Sequence, residues 1–249
     1  MTLEDFRKDF LSDHPAFDDH EQVVFRRLPE FGVDVIIAIH STVLGPALGG
    51  ARLWKYPTKA AALTDVLRLS SGMTCKNALA GLEFGGGKAV IIADPRSDKS
   101  PGLLQAFART VNDLEGRYIS GEDVGLSPSD MDILAEFTPH VRGGTKGLAG
   151  DPSPYTALGV FEGIKEARRF KFGDDRIAGL TVSIQGLGGV GWLLSEMLHE
   201  AGARLVVSDI RSDRVRNAVT SFAATAVDTE ESHRVEADIF APCALGAVI

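Results

Sequence analysis

Residues 181–191 read TVSIQGLGGVG, and Gly186, Gly188 and Gly191 stand in the G-x-G-x-x-G spacing. A glycine-rich turn alone can produce that spacing, so its surroundings decide what it means. An apolar strand pattern precedes the glycines, an amphipathic helix pattern follows over 190–201, and a second strand, RLVVSD, ends at Asp209. This is a β-α-β unit of the dinucleotide-binding kind. Gly186 allows the tight turn, Gly188 lets the backbone approach a pyrophosphate, and Gly191 permits helix to pack closely on strand. The helix N-terminus offers unpaired N–H groups and positive dipole to phosphate. The expected cofactor contacts are therefore Gly186, Leu187, Gly188, Gly189, Val190 and Gly191. Asp209 suits the adenosine ribose hydroxyls and disfavours a 2′-phosphate, so NAD is expected over NADP. Arg211 and Arg214 moderate that preference.

Outward from this unit, the chain alternates strands and helices. QVVFRRLP and GVDVIIAIHST read as strands joined by a turn at Pro29 and Gly32. Residues 58–72 carry a helical face of Leu63, Val66, Leu67 and Ser70, and KAVIIAD reads as a short buried strand. Ser100 and Pro101 cap a helix striped by Leu103, Leu104, Phe107, Val111 and Leu114. RYIS reads as a strand, and SPSDMDILAEF opens another capped helix. The segment GGTKGLAGDPSPY, 143–155, marks a domain boundary. A long helix from Ser153 to about Arg169 follows, with Leu158, Phe161, Ile164 and Lys165 at helical spacing; ADIFAPCA supplies a last strand. The expected fold class is α/β: a first α/β domain over 1–148, then a Rossmann-type dinucleotide-binding domain over 149–249.

Composition narrows the function. The 249 residues are 44% hydrophobic and carry a formal net charge of -8, so no basic footprint for nucleic acid exists. Two distant cysteines, Cys75 and Cys243, fit a reducing compartment better than a disulfide framework. MTLEDFRKDF has no apolar signal-peptide core, and no apolar run approaches membrane-spanning length. These features give a cytoplasmic expectation with no membrane partner, and no metal site is expected.

FGGGKAVI places Lys88 after three glycines. It is no Walker A loop: with Gly87 and Lys88 aligned, Leu82 falls where the first glycine belongs and Ala89 follows the lysine. Lys76, in GMTCKN, lies twelve positions earlier, again among small or apolar residues. Two readings stay open. These are surface lysines at element ends, or they are cations facing a cleft, one fixing a substrate carboxylate and the other made basic by desolvation and like charge. In the second reading the glycines leave room for substrate to lie against the backbone. Asp123, in GEDVG, falls between a strand and a capped helix, where α/β active-site residues gather.

GPALGGARLW, GMTCKN, FGGGKAVI, DPRSDKSP, EDVG, DPSPYTALGV, GLGGVG and APCALG together resemble the leucine, phenylalanine and valine dehydrogenases of the glutamate dehydrogenase-like superfamily. The resemblance runs from about Leu44 to the C-terminus. It implies NAD-dependent oxidative deamination of an apolar L-amino acid, leucine, valine, isoleucine or phenylalanine, by a homo-oligomer, with substrate binding, catalysis and oligomerisation in the domain over 1–148 and NAD binding in the Rossmann-type domain over 149–249. Lys88 matches the catalytic lysine, Asp123 the proton-transferring acid, and Lys76 the lysine that binds the substrate carboxylate. Leu44 and Gly121 match substrate-contacting positions, and Thr156 a position close to the nicotinamide. Alanine at position 121 resembles the leucine and valine type and glycine the phenylalanine type, whereas EDVG and DPSPYTA look more like the leucine enzymes. The chain stops after roughly the fourth strand of an expected six-stranded nucleotide domain. Alternatives are an inactive fragment or non-catalytic dinucleotide-binding protein, and a glutamate-type dehydrogenase.

Overall fold

The computed structural model describes residues 11–145 and 151–245. MTLEDFRKDF and the expected boundary at 148/149 lie outside the described residues. The chain divides into two compact units, Met1–Gly150 and Asp151–Ile249.

The first unit is built on strands β1 (Gln22–Leu28), β2 (Val33–Ser41), β3 (Ala47–Trp54), β4 (Gly85–Ile92) and β5 (Tyr118–Gly121), in the spatial order β1-β2-β4-β3-β5. β1 and β4 run antiparallel to β2, while β3 runs parallel to both β4 and β5. Helix α1 (Lys59–Leu79) covers one face, packing Ala62, Leu63, Val66 and Leu67 on Ile36, Ala38 and Val90. Helices α2 (Pro101–Asn112) and α3 (Pro128–Ala135) cover the other, where Leu103, Leu104, Phe107, Met131 and Leu134 meet Ile37, Leu53 and Ile91. With helices on both faces, β2 and β4 are buried almost throughout.

Two sequence expectations need correction here. Helix α1 continues past residue 72 to Leu79, although Gly72 and Thr74 are poor helix formers. Tertiary contacts carry it: Asn77, in the last turn, donates from Nδ2 to the Gly85 carbonyl at 2.6 Å. The three glycines before Lys88 lie inside β4 rather than ahead of it. They do not make room for substrate, because protein already fills the space. A Cβ on Gly86 would stand 2.1 Å from Thr74 Oγ1, and one on Gly87 would stand 2.8 Å from the Tyr118 ring. The glycines let α1 and Tyr118 close on the strand from opposite sides.

The second unit contains helix α4 (Ser153–Phe172), strand β6 (Thr181–Gln185), helix α5 (Gly189–Glu200), strand β7 (Arg204–Ser208), helix α6 (Ser212–Phe222), and strands β8 (Thr225–Ala226) and β9 (Ile239–Pro242). Its sheet is all parallel in the order β8-β7-β6-β9. Counted within the unit this is 3-2-1-4, the order of the doubly wound nucleotide-binding fold, whose strand order reverses between β6 and β9. The buried line of α4 runs through Ala157 and Ile164 with Phe161 packed beside them, while Leu158 is exposed. Helical rotation of 100° per residue carries Leu158 off that line.

Candidate active site and dinucleotide site

Lys88 lies on the α1 side of β4 and is only 6% exposed. Its Nζ sits 2.9 Å from Asp123 Oδ2, so the two candidate catalytic residues are joined in an ion pair. Asp123 follows β5, and a small residue on β3 allows it to reach β4. A Cβ on Gly50 would stand 2.9 Å from the Asp123 Cβ and 2.5 Å from the Glu122 carbonyl oxygen. Two residues further along β3, on the same face, Arg52 donates from Nε to Asp123 Oδ2 at 2.9 Å. Its Nη1 donates to Asp65 Oδ2 on α1 at 2.8 Å, and the Tyr56 hydroxyl donates to that same oxygen at 2.5 Å. Sequence reading missed Arg52, Asp65 and Tyr56. Burial along β3 alternates with period 2, which puts Gly50 and Arg52 on one face, but the residue types of ALGGARLW do not show that alternation.

The electrostatics follow from burial and these contacts. Burial pushes the Lys88 amine below the usual lysine range; Asp123 opposes this in part, and the like charges of Arg52 and Lys76 reinforce it. Burial pushes Asp123 upward, but the Lys88 and Arg52 cations outweigh it and hold the carboxyl below its ordinary value. Burial also works against the Arg52 cation, and Asp123 and Asp65 more than compensate. The result is a buried amine whose positive charge is disfavoured, beside a carboxylate that stays ionised.

Lys76 sits in the last turn of α1, exposed, and close enough for its charge to bear on Lys88. Gly121 ends β5 opposite Gly50. A methyl there would meet nothing closer than the Arg142 carbonyl oxygen at 3.8 Å, so the position has room for a larger residue or a substrate side chain. Leu44, in the loop before β3, lines a surface hollow with Val43, Ala78, Leu82 and Glu83; neither Lys88 nor Asp123 lines it.

In the second unit Gly186 takes φ +94°, where an L side chain is strained, and its N–H donates to the Ser208 carbonyl at 2.7 Å. A Cβ on Gly191 would stand 1.9 Å from the Gly186 carbonyl oxygen. Gly188 is the N-cap of α5 and has no side chain to satisfy the first N–H groups, while the Leu187 side chain is buried and that of Val190 packs on the core. The backbone is thus what these residues offer. Asp209 Oδ2 accepts from the Leu187 N–H at 2.6 Å and Oδ1 from the Arg211 N–H at 2.8 Å, which leaves lone pairs on both oxygens for ribose hydroxyls. Arg214 approaches the same carboxylate at 3.6 Å. Thr156 lies in the first turn of α4, and its hydroxyl donates to the Pro152 carbonyl at 3.0 Å. The start of α4 reaches the glycine turn: a Cβ on Gly189 would stand 2.5 Å from Ser153 Oγ. An uncapped helix N-terminus, a turn stripped of side chains and an acid at the end of β7 fit a dinucleotide's pyrophosphate and ribose. Cys75 and Cys243 are free, and burial pushes the Cys243 thiol up to about 11. Among the described residues no cluster of metal-ligating side chains occurs, and no helix is long and apolar enough to cross a membrane.

The sequence profile of the Glu/Leu/Phe/Val dehydrogenase dimerisation domain matches residues 20–140. The chain is 52% identical over 233 residues to leucine dehydrogenase of Geobacillus stearothermophilus, covering 93% of this chain and 64% of that protein. It is 49% identical to leucine dehydrogenase of Bacillus cereus, covering 100% of this chain and 67% of the relative. The crystal structure of L-tryptophan dehydrogenase from Nostoc punctiforme superposes with a TM-score of 0.66 at 42% identity, over 98% of this chain and 67% of that one. The chain therefore spans about two thirds of the length of the relatives it matches. With half of its residues identical to such relatives across nearly its whole extent, the chain belongs to the glutamate, leucine, phenylalanine and valine dehydrogenase family.

Proposed function

We propose that the protein catalyses the reversible, NAD-dependent oxidative deamination of an apolar L-amino acid, leucine, valine, isoleucine or phenylalanine. Amino acid, water and oxidised dinucleotide give the 2-oxo acid, ammonium, reduced dinucleotide and one proton. The observation that carries this reading is the buried Lys88 amine paired with Asp123 at 2.9 Å. When bound, the dinucleotide supplies the hydride acceptor. Lys76 binds the substrate carboxylate as an exposed point charge. Lys88, whose charge is disfavoured by burial, takes a proton from the water that attacks the imine carbon. Asp123 returns and removes protons as the carbinolamine forms and collapses. Leu44 and Gly121 contact the substrate side chain, and the open space at Gly121 favours a bulky one. Gly186 to Gly191 hold the pyrophosphate, Asp209 the ribose, and Thr156 lies by the nicotinamide. Asp209 at the end of β7, with lone pairs left for ribose hydroxyls, supports NAD over NADP, and Arg214 at 3.6 Å moderates that preference. The enzyme works in the cytoplasm as a homo-oligomer assembled through its first unit. Formation of reduced dinucleotide with leucine, valine, phenylalanine and glutamate tests the reading. Turnover with the apolar substrates and none with glutamate supports it; turnover with glutamate alone overturns the substrate assignment.

A further inference from the structure

The Lys88–Asp123 pair poses a difficulty for a lysine that must act as a base. A carboxylate at 2.9 Å favours the protonated amine, which cannot accept a proton. The surroundings contain an answer. Both cations converge on one oxygen, Asp123 Oδ2, with Arg52 Nε and Lys88 Nζ each at 2.9 Å. The other side of the Arg52 fork is fixed by Asp65, which Tyr56 holds in turn. With both sides of its guanidinium occupied by carboxylates, Arg52 is poorly placed to bind a substrate carboxylate.

We propose that Arg52 is a positioning residue that supplies the permanent counter-charge of Asp123, so that Lys88 can give up its proton without leaving a buried carboxylate unpaired. This rests on the reading of Lys88 as the base. A guanidinium never deprotonates in a protein, whereas an ammonium does so readily when buried, so two cations on one carboxylate have unequal roles. Arg52 stays charged and keeps Asp123 ionised and aimed; Lys88 is the member that titrates. The charged and titratable groups bearing on Lys88 are Asp123 after β5, Arg52 on β3 and Lys76 on α1. Tyr118 on β5 lies near Asp123, and burial keeps its hydroxyl protonated. The pairing of Arg52 with Asp65 anchors the counter-charge to α1, the helix that also carries Lys76.

The test reads Lys88 directly and needs no turnover. The full chain is labelled with acetic anhydride across a pH series, and acetylation of each lysine is followed by mass spectrometry, with exposed Lys171 as internal reference. Wild-type Lys88 should become reactive at a lower pH than Lys171. In Arg52→Met its neutral fraction at a fixed pH below the midpoint should fall by about tenfold or more, because the amine regains sole possession of Asp123. Arg52→Gln, which keeps amide donors but no charge, carries the same expectation and replaces Arg52→Met should that variant not fold. Arg52→Lys retains a cation beside Asp123, though one that can titrate, and should shift the Lys88 midpoint less than Arg52→Met does, which a purely structural role for the guanidinium fork would not do. A low wild-type midpoint unmoved by Arg52→Met and Arg52→Gln overturns this inference and leaves the assignment of Lys88 intact. A midpoint moved equally by Arg52→Lys also overturns it. A wild-type Lys88 that titrates like Lys171 overturns the base assignment itself.

Discussion

Gly50 and Gly121 face each other across β3 and β5, yet alanine should have opposite consequences at the two positions. At Gly50 the new Cβ would lie 2.5 Å from the Glu122 carbonyl oxygen and 2.9 Å from the Asp123 Cβ. That is about 1 Å short of ordinary van der Waals contact. β3 is held between β4 and β5 and cannot retreat, so the chain at Glu122 and Asp123 must yield. An outward shift of about 1 Å pulls Asp123 from both cations, at a cost of about 1–3 kcal/mol in overpacking. Misplacing a reacting group by that distance lowers turnover by about 10²-fold. At Gly121 the nearest neighbours of the new methyl are 3.8 and 4.0 Å away, so stability should change by less than about 0.5 kcal/mol. Urea denaturation followed by Trp54 fluorescence, in a Trp192→Phe background, reads the first unit alone. Acetylation of Lys88 reports whether its partner has moved. If Gly50→Ala is as stable as its parent and its Lys88 reacts unchanged, the close approach of Asp123 to β3 is not what builds the site.

Replacing Asp123 by Asn leaves the Lys88 amine without its counter-ion beside Arg52, which keeps only Asp65, and urea denaturation should show a loss of about 3 kcal/mol. Lys88→Met should behave differently, since Arg52 still pairs with Asp123. The folded-state value of Lys88 lies below the 10.5 of the unfolded chain, so between those values the unfolded state binds more protons and stability rises with pH. Lys88→Met should flatten that alkaline rise in a pH series of urea midpoints. Asp209→Asn should weaken binding of reduced NAD by about tenfold, measured by nicotinamide fluorescence, because each ribose bond to an ionised acceptor becomes a neutral one.

Where local chemistry determines structure, the sequence was readable. Ser100 accepts from the Leu103 N–H, and Ser127 forms a reciprocal capping box with Asp130, so α2 and α3 begin where the Ser-Pro pairs indicate. The glycine spacing of the second unit corresponds to a turn in which a Cβ on Gly186 or Gly191 would strike backbone within 3 Å. Elements set by distant contacts were not readable. β3 contains two glycines and little strand propensity, and it forms because β4 and β5 flank it. Gly85, Gly86 and Gly87 look like a loop in isolation and are a strand because α1 and Tyr118 press against it. The candidate site was half legible for the same reason. Lys88 and Asp123 stand out in their own segments, whereas Arg52 acquires its role from Asp65, 13 residues away, and Asp123, 71 residues away. No local pattern announces that convergence.

The central claim is that Lys88 is the base of an amino-acid dehydrogenase, and Lys88→Ala tests it most directly. Reduced-dinucleotide formation with leucine and NAD is compared between wild type and variant, with dinucleotide affinity measured in parallel. The expected result is turnover lost by about 10²-fold or more at unchanged affinity for NAD. Wild-type turnover in Lys88→Ala would contradict the account.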